Sequence, residues 1–196
     1  GMLQPVILQG RRVRLEPLAL EHVERLWAAA DEPAMWSYMI HDVHEKADLE
    51  AWIRLRLRDV AAGTALAYAQ VDTTTGATFG CTNLFDVDLR HRRGEIGHTW
   101  VGKSHRRTAA NTEAKLLLLS HAFDALGFNR VQLKCDARNE PSAAAIRRIG
   151  AQFEGRLRMQ AVMPDGHVRD ALVFSIIRTE WPAVRLTAAA FAVVGD

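Results

Sequence analysis

Three stretches of the sequence carry residue types whose spacing could do chemistry. Gly97-His-Thr-Trp-Val-Gly102-Lys103-Ser104 matches the phosphate-loop pattern G-x-x-x-x-G-K-[ST] letter for letter. That pattern works when a buried strand precedes the first glycine and a helix opens at the Lys-Ser pair, so that backbone N–H groups wrap the phosphates. Here His, Thr, Trp and Val fill the loop and favour an extended strand, and His91-Arg-Arg-Gly-Glu95 precedes it. Strand plus turn is the expected reading, with a phosphate-loop nucleotide enzyme as the alternative. The second stretch, Arg106-Arg107-Thr108-Ala109-Ala110-Asn111-Thr112, leads into an apolar run. Unpaired first-turn N–H groups and the positive end of a helix dipole suit a pyrophosphate, and guanidiniums add charge-assisted bonds to its oxygens. On pattern alone, an ordinary helix start with solvated arginines explains the same residues. In the third, His41-x-x-His44-Glu45, two imidazoles lie near a carboxylate with no third ligand at helical spacing and no cysteine pair. A polar loop is expected there, and no metal site.

These residues need elements to position them. Arg12–Pro17 alternates as a strand. Leu20–Ala30 carries apolar residues at helical spacing, Trp36–His44 reads as a loop, and Asp48 reads as the N-cap of a helix closed by Gly63. Its expected apolar positions are 49, 52, 53, 55, 57 and 60. Two strands, Ala65–Asp72 and Ala77–Leu84, flank a Thr73–Gly76 turn. Asp86–Arg93 is charged, its Arg90-His-Arg-Arg93 more a solvated turn than a nucleic-acid patch. Strand Glu95–Val101 follows, then a nearly all-apolar helix over Thr112–Leu126 ended by Gly127, and strand Arg130–Cys135. Asn139 caps a short helix ending at Gly150. Strands near Phe153–Met163 and Ala171–Ile177 flank the Pro164-Asp-Gly166 turn, and the Ala-rich tail after Pro182 reads as a peripheral helix. The order implies an α/β or α+β class with one central mixed sheet. At 196 residues, one domain is expected. Hydrophobic residues at 48% and charged ones at 24% exclude general disorder, and a net charge of +2 argues against a dedicated nucleic-acid binder. No apolar run approaches a membrane span, and the N-terminal stretch does not read as a secretory leader. Cys81 and Cys135, the two cysteines, build neither a disulfide scaffold nor a four-thiolate site, which fits a reducing cytoplasm.

The second half carries an ordered set of motifs. Glu95-Ile-Gly-x-x-Trp100 ends a strand, a basic loop follows, and Thr112-Glu-Ala114 opens an apolar helix. Then come Gly127-Phe-Asn-Arg-Val131, Asn139-x-x-Ser142, Ile149-Gly150, Glu154-Gly155 and Arg169-Asp170. Over residues 11–182 the chain resembles the GCN5-related N-acetyltransferase (GNAT) superfamily, and within it the ribosomal-protein N-terminal acetyltransferases. The resemblance implies a GNAT-like α+β domain over 11–182, its mixed, mostly antiparallel sheet flanked by helices on both faces, with 183–196 as a tail. It implies transfer of acetyl from acetyl-CoA, as co-substrate, to a primary amine by direct attack on the thioester. The amine is a protein N-terminus or a small molecule; a homodimer is compatible with the branch, and no metal, nucleic acid or membrane is called for.

The resemblance also assigns residues. The family's acetyl-CoA loop, [QR]-x-x-G-x-[GA], falls on Arg106-x-x-Ala109-x-Asn111, which keeps the arginine and replaces both small-residue positions. A positive φ at Ala109 would cost on the order of 1 kcal/mol. Backbone groups of Trp100 and Val101 are expected to pair with pantetheine. Arg106, Arg107, Thr108, Ala109, Ala110, Asn111 and Thr112 are expected at the pyrophosphate, and Asn139 at the pantetheine arm. Many members carry a tyrosine where this chain has Ile146; the ribosomal-protein branch instead uses the serine that corresponds to Ser142, whose hydroxyl can donate to the departing sulfur. Glu95 is the first choice of base and His98 the second, on opposite faces of a regular strand. Trp36, Tyr38 and Met39 either line the acceptor pocket or pack. Asp170 is expected to be structural. Departures at Ala109, Asn111 and Ile146 leave a non-catalytic CoA-binding module as a further alternative.

Overall fold

The computed structural model of the chain describes residues 3–30, 36 and 38–194. Its elements run β1 (Leu8–Gln9), β2 (Val13–Pro17), α1 (Val23–Ala29), α2 (Lys46–Ala61), β3 (Leu66–Asp72), β4 (Thr78–Asp88), β5 (Arg93–Val101), α3 (Ala109–Ser120), β6 (Arg130–Asp136), α4 (Glu140–Ile149), β7 (Gln152–Val162), β8 (Val168–Ile177) and α5 (Trp181–Val194). Among the described residues, eight strands form one sheet in the order β1-β2-β3-β4-β5-β6-β8-β7. Only β5 and β6 run parallel; the other neighbours are antiparallel.

Alternation along β3 separates two cores. Leu66 and Tyr68 face a cluster with Ala114 and Leu118 of α3, Ile146 of α4 and Trp181 of α5. Ala67 and Ala69 face the opposite cluster, with Leu26 of α1 and Leu49, Trp52 and Ile53 of α2. Successive strand residues point to opposite faces, so helices cover the sheet on both sides, as expected.

Several local expectations shift. The N-cap of α2 is Glu45; Asp48, three residues on, reaches back to accept the His44 and Glu45 N–H groups, each at 3.0 Å. A carboxylate at this third position satisfies orphan donors as well as a cap does. On the same helix Arg56 is buried, while Leu55 is 37% exposed. Position 56, not 55, continues the 49-52-53 stripe at helical period. Helix α3 opens at Ala109, three residues earlier than its apolar run, because Thr108 caps it. Helix α5 is no periphery: Trp181, Val184 and Ala188 are buried, and the Trp181 indole donates to Asp124 Oδ1 at 3.0 Å.

The sheet is not continuous along its whole length. β5 and β6 pair only from Arg93↔Arg130 to Ile96↔Leu133. Both strands continue, to Val101 and Asp136, without pairing, so the sheet splits open between them.

Candidate active site

The split begins beside a β-bulge. Pairing of β4 with β5 jumps from Asn83↔Gly97 to Cys81↔Trp100, and His98 takes φ +47. Two residues, His98 and Thr99, therefore oppose Thr82 alone. Buried polar side chains hold this shape: Asn83 Nδ2 donates to the His98 carbonyl at 3.1 Å, and the Thr82 and Thr99 hydroxyls meet at 2.8 Å. The extra residue overturns the opposite-face expectation for Glu95 and His98. Phe85 pairs with Glu95 across the strands, and the His98 ring lies 4.2 Å from the Phe85 ring, so all three share one face. Burial and the nearby Arg56, His41 and Lys134 push the His98 imidazole down to about 3, so it stands neutral at pH 7.

Glu95 is 5% exposed at the neck of the opening. Gln132 donates to its Oε1 at 2.8 Å, and Lys134 Nζ lies 3.5 Å from Oε2. Burial raises its pKa against the lowering pull of these partners. A carboxylate with a raised pKa is a better-matched proton acceptor near neutral pH.

At the far end stand the basic loop and the start of α3. Gly102 is followed by a single tight turn over Lys103–His105, with α3 opening only at Ala109. A phosphate loop needs the helix at Lys103-Ser104, so that alternative falls. Its two glycines answer to packing: a Cβ at 97 would meet the Phe85 ring at 2.9 Å, and one at 102 the Ala29 carbonyl oxygen at 2.8 Å. The strain that threatened Ala109 sits on Arg107, at φ +58. Ala109 is the first helical residue, and both it and Ala110 turn their methyls inward, 7% and 8% exposed. The first-turn N–H groups, with exposed Arg106 and Arg107 before them, make a cationic helix end. The Thr108 hydroxyl accepts from the Asn111 N–H at 3.4 Å.

Backbone register corrects the Trp100 expectation. Gly102 donates to the Phe79 carbonyl at 2.7 Å, so Trp100, two residues earlier in the ladder, also turns its backbone toward β4. Val101 turns toward the split, where its carbonyl accepts from Arg106 Nε at 3.2 Å. By the same register the Val101 N–H faces the split, while the Trp100 backbone groups face β4.

Across the split, α4 presents Asn139 and Ser142. Asn139 Oδ1 accepts the Ser142 N–H at 3.2 Å, so its oxygen serves as the helix cap. The Ser142 side chain lies beside Cys135 and pulls that thiol's pKa down against burial, which keeps it raised. Ile146 is 3% exposed in the core and offers no proton donor. Lys115 of α3 faces Arg148 of α4 and Cys135, and burial holds its amine below the usual lysine range.

The loop before α2 carries the three residues expected on the acceptor side, Trp36, Tyr38 and Met39, all among the described residues. Trp36 is taken up by the core, packed on Trp100 at 5.3 Å, and Met39 packs partly against the same cluster. Of the three expected there, Tyr38 alone is exposed, with the Arg138 guanidinium 5.5 Å from its ring and Arg169 donating to its carbonyl at 3.4 Å. Gln132, Lys134, Arg56 and Lys115 escaped the sequence reading. Only Arg56 left a signal, a charge on the buried stripe of α2. His44 pairs locally with Asp42 at 2.6 Å. Among the described residues no group of three His, Cys, Asp or Glu is placed to hold a metal, and no helix is long and apolar enough to cross a membrane. Asp170 accepts from the Met159 N–H and from Arg156 Nε, both at 2.8 Å, bracing a bulge of β7.

A sheet split beside a bulge, with a cationic helix end at one side and a buried carboxylate at the neck, defines an acyl-CoA-dependent transferase fold. The family profile of the acetyltransferase (GNAT) domain matches residues 12–152, and the chain belongs to the GNAT family of N-acetyltransferases. It is similar to a GCN5-related N-acetyltransferase from Brucella melitensis, at TM-score 0.89 and 30% identity over 98% of this chain and 87% of that one. An acetyltransferase structure from T. thermophilus gives 0.86 and 34%, over 96% and 97%. A Bacillus subtilis strain 168 protein carried under the provisional name of ribosomal N-acetyltransferase YdaF is 32% identical over 54% of this chain, which spans 57% of that relative's length.

Proposed function

We propose that the protein moves acetyl from acetyl-CoA to a primary amine, on a protein N-terminus or a small molecule. The observation that carries this reading is the split between β5 and β6 past Ile96 and Leu133, beside the His98 bulge and running to the α3 N-terminus. The helix end with Arg106 and Arg107 receives the pyrophosphate. The Val101 N–H and the Asn139 amide hold the pantetheine arm.

In the reaction, Glu95 takes a proton from the incoming ammonium, directly or through one water, and later returns it to solvent. The neutral amine nitrogen then bonds to the thioester carbonyl carbon, and the C–S bond breaks as Ser142 supplies a proton to the departing thiolate. The second proton of the nitrogen passes through water to the Ser142 oxygen, which leaves a neutral amide, a thiol and the serine restored. An α-amine, with a pKa of about 7.7–8.0, loses its proton at neutral pH for roughly 1 kcal/mol, against about 4–5 kcal/mol for lysine. That favours an N-terminal or other α-amine. The ribosomal-protein resemblance and the YdaF name support the same acceptor class. The test is calorimetry with acetyl-CoA, then thioester consumption against peptides, amino acids and polyamines. Binding with turnover supports the proposal; CoA occupancy without turnover on any amine favours the non-catalytic module; no CoA binding removes both.

A further inference from the structure

The sheet-facing stripe of α2 runs Leu49, Trp52, Ile53 and then Arg56, a guanidinium 8% exposed. Its Nε has no hydrogen-bond partner. The nearest carboxylate oxygen, from half-exposed Asp59, is 3.9 Å away, too far for a hydrogen bond. The Trp52 ring, 5.8 Å from its Cζ, gives only a weak cation–π contact. A desolvated cation without a full partner costs stability.

What surrounds it says what is missing. Arg56 interacts electrostatically with His41, His98 and Asp86, on three other segments. The His41 ring lies 6.0 Å from that of His98, at the bulge where the thioester would lie. Asp86 is exposed, and Lys134 is already engaged with Glu95. A largely buried guanidinium, its Nε unpartnered, is therefore set beside two imidazoles that burial keeps neutral. A guanidinium matches a carboxylate in shape and charge.

We infer that Arg56 is a specificity-determining residue that binds a carboxylate carried by the amine acceptor, with His41 beside it as a second donor. The inference rests on the transferase reading and narrows its acceptor to amines that bear a carboxylate a few bonds from the nitrogen. A free amino acid meets that description, as does an N-terminal peptide with an acidic side chain near its amine.

The test uses matched pairs that differ only in this group: methionine against methioninamide, and a Ser-Asp-Ala-Ala peptide against Ser-Asn-Ala-Ala, both as C-terminal amides. In the intact protein the carboxylate member of at least one pair is used with the higher kcat/KM, and which pair does so separates the two sources. In Arg56→Met that preference falls by about ten- to a hundredfold toward unity, mainly through KM, and Arg56→Lys restores part of it. Arg56→Met also unfolds no earlier than the parent, since a buried charge with an unsatisfied Nε and only a loose ion pair to Asp59 is gone. The N-acetylated products of whichever pair shows the preference, titrated into the intact protein with and without CoA, give a readout free of turnover, and only the carboxylate-bearing product binds measurably. Equal use of both members of each pair, equal binding of both products, or an unchanged preference in Arg56→Met overturns the inference while leaving the acetyltransferase reading in place. Failure to bind acetyl-CoA overturns that broader reading instead.

Discussion

At the scale of single residues, the site rests on unequal treatment of similar groups. Glu95 and His98 share a face of the sheet, yet burial moves them oppositely: the carboxyl's pKa rises and the imidazole's falls. As the proposed base, Glu95 must be deprotonated, so activity rises with pH through its titration. The acid limb of kcat/KM is expected above the usual carboxylate range, measurable in a pH–rate profile with saturating acetyl-CoA. Glu95→Gln should lower kcat/KM by about 10²–10⁴-fold and erase that limb. Undiminished activity would reassign the base. Ser142→Ala should slow turnover at least roughly tenfold with little change in acetyl-CoA affinity, because its hydroxyl matters only as the sulfur leaves. Arg107→Ala should weaken CoA binding by roughly 1–3 kcal/mol in calorimetry, the loss of one charge-assisted phosphate contact.

Elements place these residues through a few buried polar braces. The β5 bulge persists because Asn83 satisfies the His98 carbonyl and because Thr82 and Thr99 satisfy each other. Asn83→Ala would leave that carbonyl unpaired in a dry setting, costing about 1–3 kcal/mol of stability by chemical denaturation, with a fall in kcat as the bulge relaxes. Helix α3 is tied at its start by Glu113, whose Oε1 accepts from the Arg12 and Val13 N–H groups at 2.8 and 2.9 Å. Its far end meets α5, where Phe123 stacks on Trp181 at 5.5 Å. Trp181→Ala should cost about 3–5 kcal/mol, far more than trimming a peripheral tail would.

Across the whole molecule, the two faces of the sheet divide the labour. Under the proposed reading, the α3–α4–α5 face would supply the cofactor side of the site, and the α1–α2 face, with Tyr38, the acceptor side. Net charge is near zero, so on that same reading an anionic cofactor is held by local charge, that of Arg106 and Arg107, and not by the field of the whole chain. Acid stability follows from the buried histidines. The folded state holds His98 neutral down to about 3, against an ordinary 6.5. Between those values the unfolded chain binds the proton and the folded one does not, so stability falls as pH drops from about 6.5 toward 3. Glu95, raised, works in the opposite sense, so the difference between parent and His98→Asn isolates the imidazole. Melting curves of the pair should converge as pH falls from about 7 to about 4, the window of that linkage; parallel curves would contradict the assigned burial.

The amino-acid sequence by itself determined the order and type of the elements from Glu95 to Gly150, because apolar period, the Asn139 cap and the glycine stops are local properties. It determined the family as well, through motifs whose spacing is a chain property. It did not determine which face His98 takes: one extra residue in β5 decides that, and the extra residue exists only against the register of β4. Nor did it reveal that Trp100 turns its backbone away from the split, that Trp36 belongs to the core, or that α5 is packed rather than peripheral. Arg56 is the sharpest case. In one dimension it is one of several charges on a polar-faced helix; in the fold it becomes a buried guanidinium beside His41 and His98 whose Nε lacks a hydrogen-bond partner. Burial and strand register are relations between distant segments, and only the folded chain sets them.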